Sequence, residues 1–167
     1  MSFAGDAGYN IWVISDTHLK SGDHLPAHFI DRVSREDIII HLGDFISIEV
    51  VDFLRSLARL EAVSGNCDSP AIRNLFPSRK VIRPDNLEIG LIHGRGGIAE
   101  TLSSVAREFV GKVDIALFGH THMPHHSRSG RTVLFNPGSL TGERGVAGSY
   151  GLIRSDGENV WGELFEV

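Results

Sequence analysis

Seven residues of this 167-residue chain are of metal-binding types and stand at the ends of apolar runs: Asp16, His18, Asp44, Asn66, His93, His120 and His122. Asp16 and His18 flank a single threonine, as do His120 and His122. At positions i and i+2 of an extended chain, both side chains of such a pair point to one face and grip one ion. Seven O and N donors exceed what a tetrahedral zinc takes and suit two divalent ions sharing a bridging carboxylate. Imidazoles with only two carboxylates favour Mn, Fe or Zn over Mg or Ca, which prefer all-oxygen cages. With Asp16 and Asp44 ionised and a bridging hydroxide present, such a centre keeps a net charge of about +1. It attracts an anion open to in-line attack by an activated water, and phosphate esters fit best.

The elements that must position these residues are legible as buried runs. Tyr9–Ser15, Asp37–Gly43, Glu61–Gly65, Leu87–Ile92 and Asp114–Gly119 read as strands, ending respectively in Asp16, Asp44, Asn66, His93 and His120. Apolar residues at helical spacing predict helices over Ile48–Leu60 and Ile98–Val110. From His125 to Val167, turn signals at Ser129-Gly130 and Asp156-Gly157 separate alternating segments, which predicts an antiparallel meander closing a sheet. In open α/β sheets ligands bind beyond the carboxyl ends of the strands, so five such strand ends imply one shared pocket.

Composition sets outer bounds. The chain has 41% hydrophobic and 22% charged residues, ordinary for a folded protein, and neither a repeat nor a linker divides it, so one domain over residues 1–167 is expected. With 16 basic and 21 acidic residues the net charge is -5, and no basic run offers an extended nucleic-acid surface. No apolar stretch approaches the roughly 20 residues that cross a bilayer, so no membrane partner is expected. Cys67, the single cysteine, excludes an intrachain disulfide, and Met1–Asp6 lacks the basic and apolar regions of a signal peptide. A cytoplasmic protein is the expectation.

Taken in order, Asp16-x-His18, Gly43-Asp44, Gly65-Asn66-x-Asp68, His93-Gly94 and Gly119-His120-Thr121-His122 resemble the signature of the calcineurin-like metallophosphoesterases. The short chain, the Gly65-Asn66-Cys67-Asp68 block and Asn136-Pro137-Gly138-Ser139 are similar to their small bacterial and archaeal phosphodiesterase branch, the YfcE-like and MJ0936-like proteins. The resemblance spans about residues 9 to 140. It implies an α/β fold, a four-layer αββα sandwich of two mixed sheets flanked by helices. It also implies one metal on Asp16, His18 and His122, a second on Asn66, His93 and His120, and Asp44 bridging them. A bridging hydroxide then attacks phosphorus while Asn66 steadies the phosphoryl oxygens, with Mn the favoured metal and Ni, Fe or Zn alternatives. Asp44, Asn66 and His93 are the catalytic candidates. The implied activity is hydrolysis of small phosphodiesters. A phosphomonoesterase or nucleotide pyrophosphohydrolase with the same centre is the alternative within the class, and a non-catalytic scaffold the alternative outside it.

Two positions depart from relatives. Cys67 stands where larger relatives carry a histidine proposed as general acid, which predicts slow turnover and a preference for good leaving groups. Arg95 replaces a histidine of the small branch and offers its guanidinium to phosphate; both residues are candidate substrate contacts. Elsewhere, His41 is expected as a hydrogen-bonded core residue, and His24, His28, His125 and His126 as solvated surface. Cys67 is expected to pack as a small side chain rather than act as a nucleophile. Asp68 is expected to orient a loop or a ligating imidazole, and the Asn136–Ser139 turn to brace the strand beneath the site. An open sheet edge leaves room for a homo-oligomer.

Overall fold

Apolar runs without alternation arise when a strand is covered on both faces. The computed structural model shows this directly; it describes residues 8–143 and 145–167, so the reading of Met1–Asp6 lies outside the described residues. In chain order the strands and α-helices are β1 (Ile11–Ile14), α1 (Ala27–Ile30), β2 (Ile38–His41), α2 (Ile48–Leu57), β3 (Arg59–Ala62), α3 (Pro70–Leu75), β4 (Arg79–Ile82) and β5 (Ile89–Ile92), followed by α4 (Ile98–Phe109), β6 (Ile115–Phe118), β7 (His125–Ser129), β8 (Thr132–Asn136), β9 (Ser149–Ser155) and β10 (Val160–Glu166).

Two five-stranded sheets result, ordered β10-β9-β1-β2-β3 and β4-β5-β6-β8-β7. Strands β1, β2 and β3 run parallel, as do β5, β6 and β8, while the outer hairpins pair antiparallel. Alternate residues of β1 enter different cores. Ile11 and Val13 meet Leu91, Ile115 and Leu117 of the second sheet, whereas Trp12 and Ile14 share a core with Phe29, Val51, Leu54 and Ile72 of the first three helices. On the far side, Val105 and Phe109 of α4 pack on Ala116, Phe118 and Leu134. Three apolar cores therefore hold four layers, the αββα sandwich that the motif series implied.

Three local expectations are corrected. The C-terminal segment is not one meander: β7–β8 joins the second sheet and β9–β10 the first. Turn chemistry specifies a hairpin but not the sheet that receives it. Helix α2 stops at Leu57 rather than Leu60, and Ala58 is already extended at φ -160°. Leu60 pairs with Ile39 instead, so sheet closure outweighs the helical spacing, and the strand begins at Arg59 rather than Glu61. Helix α3 and edge strand β4 escaped notice, although Ser69 capping Ile72 N ahead of Pro70 is an ordinary start signal. Among the described residues no helix is long and apolar enough to cross a membrane.

At the sheet end remote from the metal-type residues, Asp37 ties β1 to β2. It is 1% exposed and accepts hydrogen bonds from Asn10 N (2.7 Å), Trp12 Nε1 (2.8 Å) and Ser34 N (2.9 Å). Burial works to raise its pKa, but the donors outweigh it and hold the carboxyl below its ordinary value. Asp37→Asn turns one acceptor into a donor among donors and is expected to cost about 2 kcal/mol at neutral pH. The native carboxylate contributes above about 3.8, its unfolded value, and that contribution is lost as pH falls through the lower folded value. Urea unfolding at pH 7 and pH 3 therefore shows a gap between variant and wild type that narrows in acid.

Candidate metal centre

Glycines precede three of the seven residues for a steric reason. A Cβ on Gly65 would lie 2.1 Å from Asp44 Oδ1, and one on Gly43 2.7 Å from His93 Nδ1. On Gly119 it would lie 2.8 Å from Asp16 Oδ2. Each Gly-ligand pair thus leaves room for another member of the set. Gly65→Ala is expected to destabilise the protein by about 1–3 kcal/mol through overpacking and to weaken any divalent-metal binding by displacing Asp44, measurable by denaturation and by metal titration.

The turns that deliver the side chains are left-handed, which corrects the extended i, i+2 geometry. Asp16 (φ 51°), His18 (48°), Asp44 (60°), His120 (69°) and His122 (58°) all have positive φ. Non-glycine residues adopt this conformation at a cost, and it clusters at functional sites held by their surroundings. Here the hold is visible. Asp16 N and His18 N donate to Gly43 O and Asp44 O at 3.1 Å, fastening the first turn to the second. Asp68 accepts from Asp44 N (2.9 Å), Ile46 N (3.0 Å) and Gly65 N (2.7 Å), so it orients loops rather than an imidazole. The Asn136–Ser139 turn braces as expected: Asn136 Nδ2 donates to Gly119 O and Thr121 Oγ1, both at 3.0 Å, and Ser139 Oγ donates to Asp16 O at 2.9 Å.

All seven residues converge, in two groups that meet at Asp44. In one, His122 Nε2 lies 3.1 Å from Asp16 Oδ1 and 3.3 Å from His18 Nε2, with His18 Nε2 3.6 Å from Asp44 Oδ2. In the other, Asn66 Oδ1 lies 3.1 Å from His93 Nε2 and 3.0 Å from His120 Nδ1, with His93 Nε2 3.4 Å from Asp44 Oδ2. The ligand atoms of Asp16, His18, Asp44 and His122 fall within 4.8 Å of one another. Three imidazoles are anchored through their outer nitrogens: His93 Nδ1 on Leu42 O (2.7 Å), His120 Nε2 on Gly96 O (3.0 Å) and His122 Nδ1 on the Glu143 carboxylate. An outer nitrogen that donates to oxygen turns the inner lone pair toward the centre, as ligating histidines require.

Asp16, His18, Asp44 and His122 fit a divalent ion. Asp16 is fully buried, and its Oδ2 accepts from Ser15 Oγ (2.5 Å) and His120 N (3.0 Å). Its Oδ1 accepts no well-formed hydrogen bond and faces His122 Nε2 at 3.1 Å. A buried anionic oxygen ringed by inward-turned imidazole nitrogens is completed by a cation. In the metal-free protein, burial works to raise the carboxyl pKa of Asp16, but His122, His93 and the Ser15 hydroxyl together hold it down. Asp44 is likewise held well below its usual range against burial, chiefly by His93 and the Cys67 backbone. The Asp16 carboxylate, helped by Glu143, pushes His122 up to about 9 despite burial.

Other sequence expectations fall out unevenly. His41 is fully buried, 3.2 Å from Thr17 Oγ1, accepts from Gly43 N and stacks on Phe45; burial lowers its pKa to about 3, so it is a neutral core residue as expected. Cys67 does not pack inside: it is exposed, because its loop turns the side chain outward while its N donates to Asp44 Oδ1 at 2.8 Å. Dehydration and the Asp44 charge push its thiol up to about 11, which keeps it protonated. Arg95 is exposed beside the His93 group. His24, His28 and His126 are exposed, His28 also meeting the Tyr150 hydroxyl at 3.0 Å, whereas His125 is half-buried on Ser127 Oγ. Glu143 and the Gly96 carbonyl escaped sequence reasoning. Each reaches its imidazole from a position distant in sequence, and no spacing signals that.

Comparison with known proteins bears on the family and the fold. A family profile described as "Calcineurin-like phosphoesterase superfamily domain" matches residues 9–158. The chain is 38% identical over 135 residues to a probable metallophosphoesterase of Methanocaldococcus jannaschii, covering 78% of this chain and 68% of that protein. A probable metallophosphoesterase of Methanothermobacter thermautotrophicus is 33% identical over 94% of this chain and 92% of its own length. A phosphodiesterase of M. jannaschii is 27% identical, covering 79% and 84%. Among solved structures, Entamoeba histolytica Vps29 complexed with zinc superimposes with TM-score 0.68 at 26% identity, over 94% of this chain and 98% of that one. A structure described as that of a novel archaeal phosphodiesterase has the same fold, with TM-score 0.72 at 23% identity over 95% and 99%.

Proposed function

Because the chain belongs to the calcineurin-like phosphoesterase superfamily, we propose that it is a phosphodiesterase that hydrolyses small phosphodiesters at a pair of divalent metal ions. The observation that carries this is the meeting of two donor groups, Asp16/His18/His122 and Asn66/His93/His120, at the Oδ2 of Asp44. Mn is our assignment for both ions, with Ni, Fe or Zn acceptable to the same donors. When bound, such ions supply an activated water for in-line attack and the positive charge that offsets the phosphoryl oxygens.

The chain's own residues set the rest. Asp44 offers Oδ2 to both groups while its Oδ1 is fixed by Cys67 N, so the shared carboxylate cannot rotate away. Asn66 turns Oδ1 inward and leaves Nδ2, 3.3 Å from Cys67 Sγ at the exposed rim, to steady a phosphoryl oxygen. His93 is 3% exposed and locked by Leu42 O, which keeps its Nε2 lone pair on the centre. The Cys67 thiol, pushed up to about 11, is too weak an acid to protonate the departing alkoxide near neutrality. A preference for aryl over alkyl leaving groups follows.

A monoanionic diester matches a centre of about +1 charge better than a dianionic monoester bound without further contacts. The test is hydrolysis of bis(4-nitrophenyl) phosphate and 4-nitrophenyl phosphate by metal-stripped protein titrated with Mn, Ni, Zn and Mg. Metal-restored hydrolysis with the diester preferred supports the reading. A monoester preference defeats the diester assignment, and silence with every metal in folded protein favours a non-catalytic scaffold.

A further inference from the structure

Beside the Asn66/His93 group a cleft of about 790 Å³ opens between α3, β4, β5 and α4. Four arginines from four different segments line it: Arg73, Arg79, Arg95 and Arg107, against a single carboxylate, Glu108. In a chain of net charge -5 this concentration of one sign is a local exception, and it adjoins the centre rather than lying on a remote face. The arginines differ in what already holds them. Arg73 donates to Asn66 O at 2.7 Å and braces that loop, and Arg79 is paired to Glu108 at 2.7 Å. Arg95 has only Glu100 at 3.5 Å, and among the described residues the Arg107 guanidinium has no ion-pair partner. Two exposed guanidiniums thus remain for a ligand beside Asn66 and His93. Among the described residues the lining carries no Phe, Tyr or Trp ring, and its one imidazole, His93, is held by Leu42 O with Nε2 on the centre, so no face is offered on which a base could stack. Such a surface recognises phosphate oxygens through charge-assisted forks and is blind to base identity.

We propose that this cleft binds a second phosphate of the substrate, so that the preferred diester is a short nucleotide-type one carrying a terminal phosphomonoester next to the scissile linkage. Arg95 and Arg107 are its specificity-determining residues. The proposal deepens the phosphodiesterase reading and rests on it, so binding and turnover are measured separately.

Manganese-loaded protein is assayed on the thymidine dinucleotide TpT, on 5′-phosphorylated pTpT, and on the pyrophosphate-joined TppT. The expected kcat/KM is about tenfold or more higher for pTpT than for TpT at low salt. That ratio falls as NaCl rises and falls toward one in the Arg95→Ala/Arg107→Ala double variant. A wild-type ratio near one, or a ratio unmoved in the double variant, overturns the proposal. A preference for TppT over pTpT overturns the assignment of the second phosphate to a terminal monoester. Calorimetric titration of metal-free protein with TpT and pTpT reads the cleft without chemistry. Selective pTpT binding that depends on both arginines, with neither dinucleotide hydrolysed, upholds the anion cleft and overturns the phosphodiesterase reading, whereas equal binding of the two overturns the cleft.

Discussion

The Asp44→Asn variant is expected to lose metal-restored diester hydrolysis by at least about a hundredfold while remaining folded. Asp44 faces both donor groups through one oxygen, 3.6 Å from His18 Nε2 and 3.4 Å from His93 Nε2, and lies nearer to His93 than Asp16 Oδ1 does at 3.9 Å. Replacement of groups that merely orient metal ligands costs about 10–100-fold, and a shared carboxylate contributes more because it also supplies charge to both ions. With its Oδ1 position still held by Cys67 N, the asparagine turns its NH2 toward the two imidazoles, where an acceptor is needed. The checks are kcat/KM at saturating Mn, bound metal per chain, and circular dichroism to confirm the fold. Activity within a few-fold of wild type in folded, metal-loaded Asp44→Asn would remove Asp44 from the mechanism.

Divalent metal is expected to raise the thermal midpoint strongly. Two carboxylates and four imidazoles crowd together with one buried carboxylate oxygen unsatisfied, and a cation relieves that only in the folded chain. At a free metal concentration of 1,000 times Kd, linkage contributes about 4 kcal/mol. For a chain of 167 residues this corresponds to a rise of roughly 8–16 °C. Differential scanning calorimetry with and without MnCl2 measures it. His126→Ala, an exposed position outside the cluster, keeps the full shift, and Asp16→Asn loses most of it. A wild-type midpoint that no divalent metal moves would show that the donors do not act together on an ion.

Most members of the candidate site were legible before the fold. The residue types at Asp16, His18, Asp44, Asn66, His93, His120 and His122, each at the end of an apolar run, were enough to nominate one binuclear centre, because strand ends are set by local hydrophobic pattern. The glycines at 43, 65 and 119 were legible too, but only as motif members. Their reason, the collision of an added Cβ with Asp44, His93 or Asp16, lies in parts of the chain far away in sequence. Asp68 and the Asn136–Ser139 turn were placed correctly in role because their polar groups have few alternatives in a buried loop cluster.

Tertiary structure alone decided the remainder. The i, i+2 pairs converge through left-handed turns rather than extended chain, a conformation that neither Asp nor His favours locally and that backbone hydrogen bonds from neighbouring loops impose. The two C-terminal hairpins part to different sheets, since a turn specifies which strands pair with each other and not which edge they join. Leu60 leaves a helical pattern to pair with Ile39, because a ladder position in a buried sheet outweighs another residue of helix. Glu143 on His122, and the arginine cleft assembled from α3, β4, the loop after β5 and α4, exist only once the layers have closed. Local pattern carries residue type and strand end; contacts between segments distant in sequence depend on which surfaces can be buried together, and that is a property of the whole chain.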